Sequence, residues 1–234
     1  MDRITRKELK KDKFAQEVGH TVEFLDAHRK QFVRYGGIAA AVIVLAAGLF
    51  YYNHRQYIAR QEALRGALNV MDAPIGSSPA PGIPSYASAE EKSRAVAKAF
   101  TDLAAKYSGS DEAAAARLYL SGMSLEQGKV DDAVKGFTEV AGSRSQEYAS
   151  LAKFSLAELY ASQGKTAEAE KLLRELMDRP TVLVSKEQAA LVLARMIAPN
   201  KPEEARKLLE PLRSAPGAVG RNAIATYGEL FAKR

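Results

Sequence analysis

Cysteine is absent from all 234 residues, and so is tryptophan. Without cysteine there is no disulfide, no thiolate nucleophile and no thiolate metal site in any compartment. Histidine is scarce as well: His20, His28 and His54 all fall in the first quarter of the chain, away from any segment able to form a pocket. No glycine-rich phosphate loop follows a strand pattern, and no strand pattern exceeds the TVLV at 181–184. The acidic pairs Asp111–Glu112, Asp131–Asp132 and Glu203–Glu204 could suggest a two-carboxylate site. Each stands where a helix is expected to begin, and free amides and the helix dipole favour negative charge there. Ser185 followed by Gln188 reads as a helix cap rather than a nucleophile. The expectation is a protein that is not an enzyme, with no cofactor, no metal and no small-molecule substrate.

Charge of one sign is also short where it would matter. The formal net charge is +6, which could suggest nucleic acid. Residues 1–34 carry nine Lys/Arg against six Asp/Glu, whereas residues 89–234 carry twenty-two against twenty. The C-terminal two thirds are nearly balanced and have no basic run with interleaved aromatics, so no nucleic-acid partner is expected. The basic excess sits where a membrane surface would use it.

One long hydrophobic run is present. Tyr35 to Asn53, YGGIAAAVIVLAAGLFYYN, is uncharged and is closed by Arg34 on one side and by His54 and Arg55 on the other. A helix of this length spans roughly 28 Å, close to the hydrocarbon thickness of a bilayer. Tyr35 at one end and Phe50, Tyr51 and Tyr52 at the other stand at headgroup level. A buried core helix is the alternative, but a helix apolar on every face needs a large protein around it. A cleavable signal would end in small residues; bulky Leu49, Phe50, Tyr51 and Tyr52 follow here. The run reads as an uncleaved anchor, 35–53. Gly36 with Ala40, and Gly37 with Ala41, have the spacing that lets membrane helices approach closely.

Residues 1–34 place Phe14, Val18, Val22, Phe24 and Leu25 at helical spacing behind a crowd of lysines and arginines, which predicts a basic amphipathic segment. Basic residues close to the span tie, with Arg29, Lys30 and Arg34 against Arg55, Arg60 and Arg65. The positive-inside rule counts short flanks, so the basic segment 1–34 is expected in the cytoplasm and the long remainder across the membrane. Residues 54–88 begin with a juxtamembrane helix and end in a linker rich in Pro, Gly and Ser, with Pro74, Pro79, Pro81 and Pro84. Ser88 and Glu91 then have capping-box spacing, and Val96, Phe100, Leu103 and Tyr107 mark an amphipathic helix that ends near Gly109.

From here the chain repeats itself. LYLSGMSLEQGKVDDAVKGFTEV is echoed by FSLAELYASQGKTAEAEKLLREL and, more loosely, by LVLARMIAPNKPEEARKLLEPL. Ala133, Ala169 and Ala205 recur every thirty-six residues, each followed by apolar residues four and seven further on. Gly128, Gly164 and Asn200 precede those alanines by five, at expected turns, and can accept a positive φ. Pro180 and Pro216 close the second and third units.

These residues resemble tetratricopeptide repeats, in which a helix, a turn and a second helix recur. Leu156, Ala157, Tyr160, Gly164, Ala169, Leu173 and Pro180 match that family's pattern best; Ser124 replaces the tyrosine in the first unit, and Leu193 and Met196 depart in the third. The resemblance implies an all-α fold: an N-terminal amphipathic segment, one transmembrane helix and a tetratricopeptide-like helical-hairpin solenoid over 89–234. It also implies that the first helix of each pair lines a concave groove. On this chain that gives Leu118, Gly122 and Leu125, then Leu151, Phe154, Glu158 and Ala161, as candidate partner-binding residues. Alternatively, a C-terminal helix carrying Val219, Ile224, Tyr227 and Phe231 fills the groove or caps the stack.

The whole layout, with RITRKELKKDKFAQEVGH and HRKQFVRYGG before one span, a linker and a short repeat domain, resembles the ancillary Sec translocon subunits of bacterial inner membranes. That resemblance implies a single-pass inner-membrane protein with its N-terminus cytoplasmic and its repeat domain periplasmic. It implies protein partners, translocon subunits and a periplasmic folding factor, and a scaffold role. The alternative is a holdase-like chaperone that grips unfolded chains in the same groove.

Overall fold

A computed structural model describes residues 29–76 and 84–231. The amphipathic reading of residues 1–34 lies outside these except for its last six residues, as do His20, His28 and the middle of the linker. The described residues form nine helices and no strand. They are α1 Arg29–Asp72, α2 Ala89–Lys106, α3 Asp111–Glu126, α4 Val130–Ala141, α5 Gln146–Ser162, α6 Thr166–Asp178, α7 Lys186–Ile197, α8 Pro202–Leu209 and α9 Gly217–Phe231. A 3-10 turn, Glu210–Leu212, follows α8.

Contacts divide the chain into two units, with the boundary between Ala59 and Arg60. In the first, α1 exposes Ile38, Val42, Ile43, Val44, Leu45, Leu49 and Phe50. This is the one helix among the described residues long and apolar enough to cross a membrane. Its polar end is organised: the Arg55 Nε donates to the Tyr51 hydroxyl at 3.0 Å, and the Gln56 amide to the Tyr52 hydroxyl at 3.2 Å.

The second unit is a row of hairpins. Ala63, Leu64, Ala67, Val70 and Met71, at the end of α1, pack on Val96, Phe100, Leu103 and Ala104 of α2 and on Ala116 of α3. The ends of the linker are tied together, the Gly76 amide donating to the Tyr86 carbonyl at 2.9 Å and the Tyr86 amide to Pro74 at 3.1 Å. Three antiparallel pairs follow, α3 with α4, α5 with α6 and α7 with α8, each packed on the next. Ala133, Ala169 and Ala205 are fully buried, since only a methyl fits where the paired helices meet. Phe137 and Val140, Leu173 and Leu176, and Leu209 fill the spaces beside them.

Gly128 and Gly164 close the first two hairpins at φ +74 each. Lys129 and Lys165 then donate five residues back, to the Ser124 and Tyr160 carbonyls at 2.8 and 2.9 Å, which completes Schellman turns. Asn200 departs from expectation: no residue other than glycine has a positive φ among the described residues. In the third hairpin Pro199 holds φ near −65°, and the Asn200 and Lys201 amides both donate to the Ile197 carbonyl, at 3.0 and 2.7 Å. The turn closes right-handed.

Two caps carry serine as read. The Ser185 and Gln188 side chains each accept from the other's backbone amide, at 3.2 and 2.9 Å. Ser88 accepts from the Glu91 amide at 3.2 Å, but the Glu91 carboxylate reaches the Ala87 amide, one residue earlier than the capping box requires.

Candidate partner-binding groove

The first helices of successive pairs touch: α3 meets α5, α5 meets α7, and α7 meets α9. They form one row. The acidic pairs take their places in first turns, Asp131 and Asp132 in α4 and Glu203 and Glu204 in α8. Glu112 goes further. Although buried, it accepts from the Gln61 amide at 2.7 Å and lies 3.5 Å from the Arg60 guanidinium, so it fastens α3 to the end of α1.

The seven candidate residues of the row have different fates. Leu118 packs into the core around Phe137 and Leu156, and Leu151 into the core around Leu173 and Leu193. Gly122 and Ala161 are half-buried and Leu125 is exposed. A Cβ on Gly122 would meet nothing within 4 Å, so the surface there is open. Glu158 is exposed at its outer edge and has no hydrogen-bonding or ionic partner among the described residues. Partial burial of its carboxylate, with no charge to offset it, pushes its pKa up.

Phe154 borders a cavity of about 400 Å³ that none of the other six lines. The other walls come from Leu191, Val192 and Arg195 of α7 and from Asn222, Ala225 and Thr226 of α9. Arg195 donates to the buried Thr226 hydroxyl at 3.0 Å and stands 4.0 Å from a Glu229 carboxylate oxygen. An apolar floor beside a charged rim suits a peptide side chain better than a reaction. Among the described residues no group of three His, Asp or Glu side chains could hold a metal ion.

The C-terminal helix caps the row and helps to line this cavity. Tyr227, Leu230 and Phe231 of α9 pack against the core around Leu193 and Leu209, while Ile224 is 55% exposed. Arg206 and Arg213 lie over the Phe231 and Tyr227 rings at 4.6 and 4.4 Å. Sequence reasoning had no hold on Leu191, Val192 or Asn222, because the third unit keeps the repeat's small residues least well. The signal available was position: Leu191 and Val192 stand on the first helix of that unit.

A family model described as a tetratricopeptide repeat-like domain matches residues 30–182, from the start of α1 to just past α6. No curated protein and no solved structure matches the chain.

Proposed function

Since the chain belongs to the tetratricopeptide repeat-like domain family, we propose that it is a membrane-anchored protein–protein interaction scaffold. We assign it to the bacterial inner membrane as an accessory subunit of the Sec translocon that links the translocon to periplasmic folding factors. The observation that carries the interaction role is the cavity between α5, α7 and α9, where Phe154, Leu191 and Val192 line an opening rimmed by Arg195 and Glu229. One helix of membrane-spanning length supports the anchor. The basic residues before it support an N-terminus in the cytoplasm and a repeat unit in the periplasm.

A photo-crosslinking residue at Gln188 or Asn222, which border the cavity, tests the partner in native membranes. Capture of translocon subunits or of one periplasmic folding factor is the expected result. Capture of many unrelated unfolded chains identifies a holdase instead, and capture only from positions outside the groove overturns the groove assignment. Because the chain has no cysteine, topology can be read by labelling. Ser108→Cys, on an exposed turn, should react with an impermeant thiol reagent in spheroplasts, and Thr5→Cys should not.

A further inference from the structure

We propose that the turn between α4 and α5, Gly142 to Ser145, holds a tetrahedral oxyanion of the phosphate class. Two hydroxyls in this four-residue turn, on Ser143 and Ser145, are buried at the oxygen and have no hydrogen-bond partner among the described residues. Buried hydroxyls are almost always paired, so two orphans in one turn call for a third party. Both serines border a small cavity of about 30 Å³ that Arg117 of α3 and Arg144 also line.

Neither guanidinium has an ionic partner among the described residues, and no carboxylate lines the cavity. Ser145 begins α5 without capping it, since its side chain accepts no backbone amide. The amides of the first turn of α5 are therefore left without a side-chain cap. Ala113, Ala114 and Val140 close the rest of the cavity with apolar groups. A water molecule could satisfy the two hydroxyls, but it would bring no counter-charge to the two arginines that line the cavity. An oxyanion answers both, accepting from arginine and hydroxyl at once. The cavity is the size of one small polar group, which excludes a nucleotide base and leaves an isolated ion or the phosphate of a lipid headgroup.

Hydrogen exchange of the α4–α5 turn in the full chain tests this. In non-ionic detergent, inorganic phosphate at constant ionic strength should slow exchange at the start of α5. In nanodiscs, phosphatidylglycerol in place of a zwitterionic lipid should do the same if the source is a headgroup. Protection by phosphate in detergent assigns a free ion; protection by phosphatidylglycerol alone assigns lipid; either supports the site. Arg117→Gln and Arg144→Gln should each weaken the response about tenfold, and Ser145→Ala less. Lys171→Gln, a change at an exposed lysine of α6, should leave it unaltered. No protection under any condition would show that water satisfies the turn, and protection that survives both arginine changes would place the anion elsewhere; each overturns the proposal.

Discussion

Gly220 and Gly228 stand eight residues apart on the same helix and face opposite constraints. A Cβ on Gly220 would come within 2.0 Å of the Ala215 carbonyl oxygen, a backbone atom that cannot swing aside, whereas one on Gly228 would meet nothing within 4 Å. Gly220→Ala is therefore expected to cost about 1–3 kcal/mol in a urea melt. Gly228→Ala should instead gain up to about 1 kcal/mol from helix propensity. Opposite signs on one helix, if both are met, separate the steric cost at Gly220 from the helix-propensity gain at Gly228. Nothing in the sequence distinguishes the two glycines, because the close approach of Ala215 is a tertiary fact. Glu158 makes a second case at this scale. Its raised pKa means that the folded chain holds the proton to higher pH than the unfolded chain does. Stability is then fullest below the unfolded value and declines as pH rises through the folded one. Glu158→Gln removes that decline, so urea midpoints of the two proteins should coincide near pH 4 and separate, with Gln higher, by about pH 7. Parallel midpoints would mean that the carboxylate is well solvated.

At the scale of the element, the second helices of the last two pairs are joined by charge rather than by a broad apolar face. The Arg174 guanidinium binds Glu170 on its own helix at 2.7 Å and also binds Glu204 of α8, while Lys201 reaches Glu170 at 2.9 Å. Hydrogen bonds from Arg174 and then Lys201 hold the Glu170 carboxyl below its ordinary pKa. That contribution is present above the unfolded value and is lost as pH falls through the folded one, opposite in sign to Glu158. Arg174 and Lys201 stay within reach of solvent, 43% and 48% exposed, so Arg174→Gln should cost no more than about 1 kcal/mol, and less in high salt. A loss unaffected by salt would mean that Arg174 acts through packing. The hairpins themselves were legible from local pattern: alanines every thirty-six residues mark the crossings, and Gly128 and Gly164 mark turns that need a left-handed residue. Asn200 was misread because Pro199 and the Ile197 carbonyl close that turn by another route. Phe154, taken from the repeat pattern, borders the cavity, whereas Leu191, Val192 and Asn222 beside it were not read from the sequence. The cavity's remaining walls depend on how the last helix docks, and local periodicity says nothing of that.

At the scale of the whole molecule, where the repeat unit begins decides what folds alone. Pro74, Pro84 and the linker between them suggest a start at residue 89, since such a stretch separates segments that share no core. The contacts instead begin the unit at Arg60. Ala67 is 3% exposed against α2, and Phe100, 2% exposed, stacks on Tyr119 of α3 with ring centroids 4.3 Å apart. The end of α1 thus shares a core with α2 and α3, and hydrogen bonds tie the two ends of the linker together. A fragment of residues 89–234 would uncover Val96, Phe100 and Leu103 on one side and lose the partners of Glu112. Re-exposing a large apolar side chain costs about 1.5–3 kcal/mol, and partial uncovering of three leaves a deficit on the order of 3 kcal/mol. Fragment 60–234 should therefore melt cooperatively in urea, with fragment 89–234 at a clearly lower midpoint and α2 exchanging early. Glu112→Gln in the longer fragment should move its midpoint part of the way down, because the Gln61 hydrogen bond can persist while the charge opposite Arg60 is gone. If the two fragments melt together, the end of α1 contributes no core, and the repeat unit begins at α2.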